Sequence, residues 1–432
     1  MDDAGRTAAL TPAESVAAHE PARPWLNHRH LMAAYGVFLA YAGVSAIFAG
    51  GEDKVWAIWA ACGYAAALLI LWRSRARTVA ALVSVAVAVL APLLWLSVAY
   101  PLEAGMMVID RSAMLLIHHG SPYLPSAQVI SWLSYNPYLP VMTLFGLPYA
   151  AGLGGLAGNS GVWLAVGTVA VLTVAFWIAM PHRPCVSCRR DALLGLAVAV
   201  ASPVIGLNLA VITTDPPVLA FMLLAFALAA RPVRAARPVR AAGPVRAAGP
   251  VRAAITGAAS SGAALGVACD LKSTAWLAVP VMAAMFAARD GARAAGRFLG
   301  AAVLTMVVLI AALAPATLVR GDAAAALVQN SVLFPLGLTH YKTPAESLLP
   351  GHLLTAMGTA GHVVSIGLLL AAGLAIVISL LIRPPREVSA ACWRLAIGLA
   401  LIFLLGPDVR FGYFIYPLGL VGWLALTGPD RP

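Results

Sequence analysis

The stretch RSRARTVAALVSVAVAVLAPLLWLSVAY (73–100) decides the fold. Three arginines within 73–77 are followed by the segment 79–99, which contains no charged residue. A transmembrane helix needs about 20 consecutive, mostly apolar residues, so 79–99 is predicted to span a membrane. Because arginine and lysine accumulate at the cytoplasmic ends of spans, the chain is predicted to enter this span from the cytoplasm.

The composition extends this interpretation to the whole chain. Of 432 residues, 61% are hydrophobic and 10% are charged, and the mean hydropathy is +0.88. Soluble domains carry about a quarter of charged residues. The composition therefore excludes a soluble enzyme, a disordered chain and a secreted disulfide scaffold, and it predicts an integral membrane protein.

Apolar segments recur along the chain. They predict an all-α, polytopic fold with about 12–13 transmembrane helices. The candidate spans are 31–49, 55–72, 79–99, 137–153, 161–180, 192–207, 210–230, 255–271, 274–288, 298–318, 362–382, 395–406 and 413–428.

The net charge of +11 reports orientation rather than a nucleic-acid partner. Of the 28 lysines and arginines, 22 lie in segments that the positive-inside rule assigns to the cytoplasm. The predicted organisation is a polar cytoplasmic tail (1–30) without signal-peptide features, and one transmembrane domain (31–428). The large outer loops are then 100–136 and 319–361, and the protein is a multi-pass protein of the cell membrane.

The orientation leaves one parity problem. If 73–77 and 183–190 are both cytoplasmic, the span 79–99 brings the chain to the outer side. An odd number of further crossings must then lie between residues 100 and 183. Two apolar segments lie there, 137–153 and 161–180. One of them is therefore expected to be a half-span that does not cross.

Two features of the predicted cytoplasmic segments are not assigned a catalytic or metal-binding role. Segment 230–253 consists of four copies of a six-residue Arg/Pro-containing repeat. Proline in each copy blocks a continuous helix, which favours a disordered linker, although clustered arginines also attract anionic lipids. Cys185 and Cys188 form a lone CxxC, whereas a structural zinc site needs four ligands.

The outer loop after residue 100 carries the most informative motifs. Asp110 lies in an amphipathic stretch, which is followed by HHGSPY (118–123), a second amphipathic stretch and YNPYLP (135–140). Prolines punctuate this region, so we predict a structured loop on the membrane surface rather than a span.

This pattern resembles the GT-C fold glycosyltransferases that use polyprenol-phosphate sugars, in particular actinobacterial mannosyltransferases of the GT87 or DUF2029 type. The resemblance also includes 202–228 and 262–282, and it covers about residues 79–310. The family usually places one span before the catalytic loop, whereas this chain places three. The matching motif residues are Asp110, Gly120, Pro122, Tyr123, Tyr135, Asn136, Pro137 and Pro140.

The resemblance implies transfer of a sugar, most often mannose, from a polyprenyl-phosphate donor to an acceptor hydroxyl at the extracytoplasmic face. A carboxylate acts as general base on the acceptor hydroxyl, and Asp110 is the matching residue. Positive charge stabilises the departing phosphate. The expected partners are the polyprenyl-phosphate donor, a glycan or lipid-linked acceptor and membrane lipids. No nucleic acid, cofactor or metal is expected. The predicted binding residues are Lys272, Tyr123, Asn136, Asp215, His340, Lys342 and Arg410.

Each ionisable residue also has a purely structural interpretation. Asp110 either serves catalysis or caps a helix or pairs with Arg111. Asp215 precedes two prolines, which is typical of a helix N-cap with proline at the first helical position, and substrate contact is the alternative. Lys272 either binds the donor phosphate or pairs with Asp270.

Two other classes of protein compete with the transferase. A transporter or lipid flippase is expected to show internal repeats and broken helices with polar groups at mid-membrane. We find no clear repeat among the spans, and the ionisable residues gather at their outer ends. A membrane scaffold without catalysis would not require Asp110. The sequence contains no Walker A, dinucleotide-binding or DxD motif, which disfavours a nucleotide-sugar donor.

Overall fold

The computed structural model describes residues 26–179, 186–231, 248–335, 337–341, 347–407 and 409–428. Most of the predicted tail and Arg/Pro repeat, and Cys185, lie outside these ranges. The main helices are α1 (His28–Phe48), α2 (Gly51–Ser74), α3 (Arg77–Ala99), α4 (Ala104–His119), α5 (Ser160–Ala179), α6 (Val186–Ala201), α7 (Pro203–Ala210), α8 (Pro216–Ala229), α9 (Ala248–Leu271), α10 (Ala278–Asp290), α11 (Ala292–Leu313), α12 (Gly321–Val328), α13 (Thr359–Ile382), α14 (Val388–Leu405) and α15 (Ile415–Thr427).

The architecture confirms an all-α, polytopic membrane protein. Among the described residues, seven helices are long and apolar enough to cross a membrane: α1, α2, α3, α5, α11, α13 and α14. The bent pair α6–α7 makes an eighth candidate, and shorter apolar helices such as α8 and α15 occupy further predicted spans. The described residues contain no β-strand; a single isolated bridge joins Tyr138 and Lys272. As the sequence predicted, three long apolar helices precede the outer loop.

The predicted span 137–153 is not a continuous helix. Segment 137–153 consists of a 3₁₀ helix, Pro140–Gly146, and a single turn, Leu147–Ala150. Proline lacks the N–H that an α-helix needs, and Gly152 turns the chain with a φ of +82°. Removing this segment leaves 161–180 as the only predicted span between residues 100 and 183. The parity of the predicted crossings is thereby restored.

Prolines accompany departures from regular helix geometry. The axes of α6 and α7 differ by 63° across Ser202, and Pro203 begins α7. In α3, a π-helical turn over Ala86–Leu90 comes just before Pro92. The indole of Trp56 donates to the Ala88 carbonyl at 2.9 Å, so α2 satisfies a carbonyl within the π-turn.

Glycines allow a close helix contact in the core. On α9, a Cβ at Gly262 would overlap the carbonyl oxygen of Phe298 on α11, and a Cβ at Gly266 would lie 2.6 Å from the carbonyl oxygen of Ala302. Small residues at such crossings let two backbones pack directly. The pair α9–α11 therefore fixes the position of Lys272, which follows α9.

We expect Gly262→Ala to destabilise the protein by about 1–3 kcal/mol, because the added methyl group overpacks this contact. The measurement is thermal unfolding in detergent. Gly300→Ala on α11 is the matched control, since no atom lies within 4 Å of its added methyl group. Equal melting temperatures for the two variants would contradict the packing argument.

Candidate active site

Asp110 lies in the middle of α4, on the side that faces the protein. Glu103 caps the start of α4 by accepting from the Gly105 N–H at 2.7 Å, and Gly120 ends it with a φ of +67°. A Cβ at Gly146 would lie 2.8 Å from the Ile109 carbonyl oxygen. The bare backbone at Gly146 thus lets α4 settle on the 3₁₀ helix Pro140–Gly146.

Asp110 is 5% exposed, and its Oδ1 has no hydrogen-bond partner. Burial raises the pKa of Asp110 to about 6, and the neighbouring Ser160 hydroxyl opposes this shift in part. A buried carboxylate with a free oxygen is costly unless it is used. A pKa near neutrality also suits a general base.

Arg111 is not the partner of Asp110. Its guanidinium group donates to the carbonyl oxygens of Leu133 at 2.6 Å and Ser134 at 3.0 Å. These bonds tie α4 to the loop before YNPYLP. The structure therefore excludes the ion pair that adjacency in sequence suggested, and Glu103 rather than Asp110 caps the helix.

Tyr123 and Asn136 form hydrogen bonds that join the motifs HHGSPY (118–123) and YNPYLP (135–140). The Tyr123 hydroxyl donates to the Tyr138 carbonyl at 3.0 Å. The Asn136 side chain accepts from the Tyr138 N–H at 3.0 Å and donates to the Pro122 carbonyl at 3.4 Å. Both side chains are buried. In this structure their polar groups shape the loop that carries them.

Lys272 pairs with Asp215, not with Asp270. Lys272 Nζ lies 2.5 Å from Asp215 Oδ1, and the Tyr416 hydroxyl donates to the same oxygen at 2.7 Å. The lysine also lies 4.7 Å from the centroid of the Tyr413 ring, a cation–π contact. Asp270 is 0% exposed, and neither carboxyl oxygen has a hydrogen-bond partner.

Asp215 occupies the N-cap position of α8, as the sequence suggested, but its side chain makes no capping hydrogen bond. The first two helical residues are Pro216 and Pro217, which lack N–H groups. The carboxylate therefore turns to Lys272 and Tyr416. This pairing joins the start of α8 to the end of α9 and to α15.

The turn before Asp215 connects this ion pair with the surroundings of Asp110. Ile212 adopts a φ of +60°, which is strained for a β-branched residue. Its side chain fills the space beside Gly161, where an added Cβ would overlap it. Gly161 follows Ser160, the neighbour of Asp110. The two halves of the candidate site are thus contiguous.

Sequence reasoning missed Glu103. A Cβ at Gly105 would lie 2.7 Å from Glu103 Oε2 and 2.8 Å from the Tyr138 hydroxyl oxygen, so these two groups face each other across the bare Cα of Gly105. Arg410 and Lys272 are close enough to favour the ionised carboxylate. The available signal was the position of Glu103, seven residues before Asp110 in the same outer-loop segment.

The second outer loop touches the first but does not bring all predicted residues together. Ser126 donates to Gln329 at 2.6 Å, and the rings of Tyr135 and Phe334 stack at 4.4 Å. His340 is exposed, and its ring contacts Tyr341. Lys342 and Asp408 lie outside the described residues. In the described parts of the chain, no three His, Cys, Asp or Glu side chains form a group able to hold a metal ion.

Comparisons with protein-family models, curated proteins and solved structures gave no match to this chain.

Proposed function

We propose that this chain is a membrane glycosyltransferase that moves a sugar, mannose in the first instance, from a polyprenyl-phosphate donor to an acceptor hydroxyl at the extracytoplasmic face. The observation that carries the proposal is the buried Asp110 carboxyl group with its unpartnered oxygen and a pKa raised to about 6. It lies on an amphipathic helix between membrane spans, where a lipid-linked donor and a polar acceptor meet.

The proposed step uses Asp110 as general base. The acceptor hydroxyl gives its proton to the Asp110 carboxylate as its oxygen bonds to the anomeric carbon. The bond from that carbon to the phosphate oxygen breaks, and the electron pair leaves with the polyprenyl phosphate. Attack opposite the leaving group inverts the anomeric configuration.

The spacing along α4 supports a donor phosphate near Lys272 and Arg410. Asp110 and Glu103 are seven residues apart, which is about 10 Å along a helix. Arg410 and Lys272 lie around Glu103. That distance leaves room for an acceptor oxygen, an anomeric carbon and a phosphate in sequence. The cations then face the charge that develops on the leaving group.

The test measures sugar transfer directly. Purified full-length protein in lipid nanodiscs is incubated with radiolabelled polyprenyl phosphomannose and a panel of cell-envelope glycan and lipid acceptors. We expect label in an acceptor, and donors carrying glucose, galactose or arabinose then define the sugar. Absence of transfer with every donor and acceptor would refute the proposal.

A transporter or lipid flippase is the alternative function. The feature that favours it is the break between α6 and α7, because discontinuous helices often form transport sites. Vesicles that carry the protein and a labelled polyprenyl phosphate distinguish the two. Movement of the lipid between leaflets without sugar transfer would support the alternative.

A further inference from the structure

Glu103 lines a small open cleft, and one of its carboxyl oxygens is held by a backbone hydrogen bond. Its Oε2 accepts from the Gly105 N–H at 2.7 Å. The side chain is half-buried. The cleft lies between the end of α3, the start of α4 and the strained turn at Ile212. Its lining includes Glu52, Glu103 and Ile212.

The charged groups around Glu103 carry no excess positive charge before any substrate is present. Arg410 and Lys272 contribute two positive charges, whereas Asp215 and Glu103 contribute two negative charges. Glu52 on α2 is a further acidic neighbour, and the uncharged Tyr138 hydroxyl faces Glu103 across Gly105. A phosphodiester that enters this group adds one negative charge without a matching cation.

We infer that Glu103 takes up a proton when the anionic donor phosphate binds, so that Glu103 sets the pH dependence of donor binding. This inference rests on the proposed function. The proton comes from solvent and bonds to a Glu103 carboxylate oxygen, and no other bond changes. The neutral acid removes the excess negative charge and supplies an O–H donor in the cleft.

Glu103 has fewer hydrogen-bond partners than Asp215. Asp215 receives hydrogen bonds from Lys272 and Tyr416 on one oxygen. Glu103 receives a bond from one backbone N–H. Burial raises the pKa of Glu103, although the Gly105 N–H, Arg410 and Lys272 lower it in part. A nearby phosphate anion raises it further, since like charges disfavour ionisation.

The experiment measures proton uptake directly. Full-length protein is titrated by calorimetry with a short-chain polyprenyl phosphomannose, whose phosphodiester carries one negative charge from pH 5.5 to 8. Titrations in buffers with different ionisation enthalpies give the number of protons bound. For wild type we expect uptake of up to one proton per donor. The Kd should weaken by up to tenfold per pH unit above the pKa of Glu103.

Glu103→Gln is the informative variant, because its amide oxygen can still cap α4. We expect no proton uptake and a Kd that does not change with pH. Asp322→Asn is the matched control, since it removes an exposed carboxylate of the second outer loop, outside this cleft, and should retain the uptake. Melting temperature and size-exclusion profile verify that both variants are folded.

Two outcomes overturn the inference in different ways. If Glu103→Gln takes up a proton with the wild-type pH dependence, or if wild type binds donor without proton uptake, the role of Glu103 is refuted and the proposed function stands. If wild type binds no donor at any pH and transfers no sugar, the proposed function fails, and the inference fails with it.

Discussion

Replacing Asp110 with asparagine is expected to lower sugar transfer by about 10²–10⁴-fold, the usual contribution of a positioned general base. Asparagine has nearly the same size, so the packing of α4 on Pro140–Gly146 is retained while the proton acceptor is lost. The measurement is the rate of label transfer at saturating donor. Asp322→Asn is the control, since it makes the same change at an exposed carboxylate of the second outer loop and should leave the rate unchanged.

The pH profile provides an independent check on the same residue. Burial raises the pKa of Asp110 to about 6, and a general base acts only when it is ionised. Wild-type transfer should therefore be at its plateau above pH 7 and should fall as the pH drops through about 6. A rate that is constant between pH 5 and 8, or an Asp110→Asn variant that retains the wild-type rate, would remove Asp110 from the mechanism.

Stability should move in the opposite direction from activity. Because the pKa of Asp110 is raised in the folded protein, its ionised form opposes folding at pH values above the ordinary carboxyl range. The neutral side chain of Asp110→Asn avoids this penalty. Its melting temperature at pH 7.5 is therefore expected to be no lower than that of wild type. A marked decrease would indicate that the carboxylate serves structure instead.

The membrane architecture could be predicted because its physical cause is local. Each long span is an uninterrupted apolar stretch, and 79–99 illustrates this in α3. Segment 137–153 is also free of charged residues, but it contains prolines and glycines that prevent a continuous helix. The positive-inside rule indicated that one of the two segments between residues 100 and 183 does not cross the membrane. The prolines and glycines of 137–153 identify which one.

The candidate site was only partly predictable because its contacts join distant segments. Asp110 could be singled out from one loop and one resemblance. Lys272 and Asp215 were each identified, but 57 residues separate them, and the nearer Asp270 looked like the simpler partner. Glu103 was overlooked because an acidic residue at the start of a helix usually caps it, as Glu103 does here. Its second set of neighbours exists only in the folded chain.

Breaking the Lys272–Asp215 pair is expected to have the largest effect on stability. Lys272 is 9% exposed and Asp215 is 5% exposed. Lys272→Met keeps the length of the side chain but leaves the Asp215 carboxylate buried with Tyr416 as its remaining side-chain partner. Loss of one partner from a buried ion pair costs about 3–5 kcal/mol. We expect the melting temperature in detergent to fall by several degrees.

The double variant Lys272→Met with Asp215→Asn separates the structural role of Lys272 from its proposed role in donor binding. Removing both charges leaves no unpaired ion, and replacement of a buried pair by neutral groups is often close to neutral for stability. The double variant should therefore recover most of the lost melting temperature. If Lys272 also stabilises the donor phosphate, the recovered protein should still transfer sugar poorly. Recovery of both stability and transfer would show that Lys272 is purely structural. A double variant no more stable than Lys272→Met would show that the unpaired Asp215 charge does not cause the loss of stability.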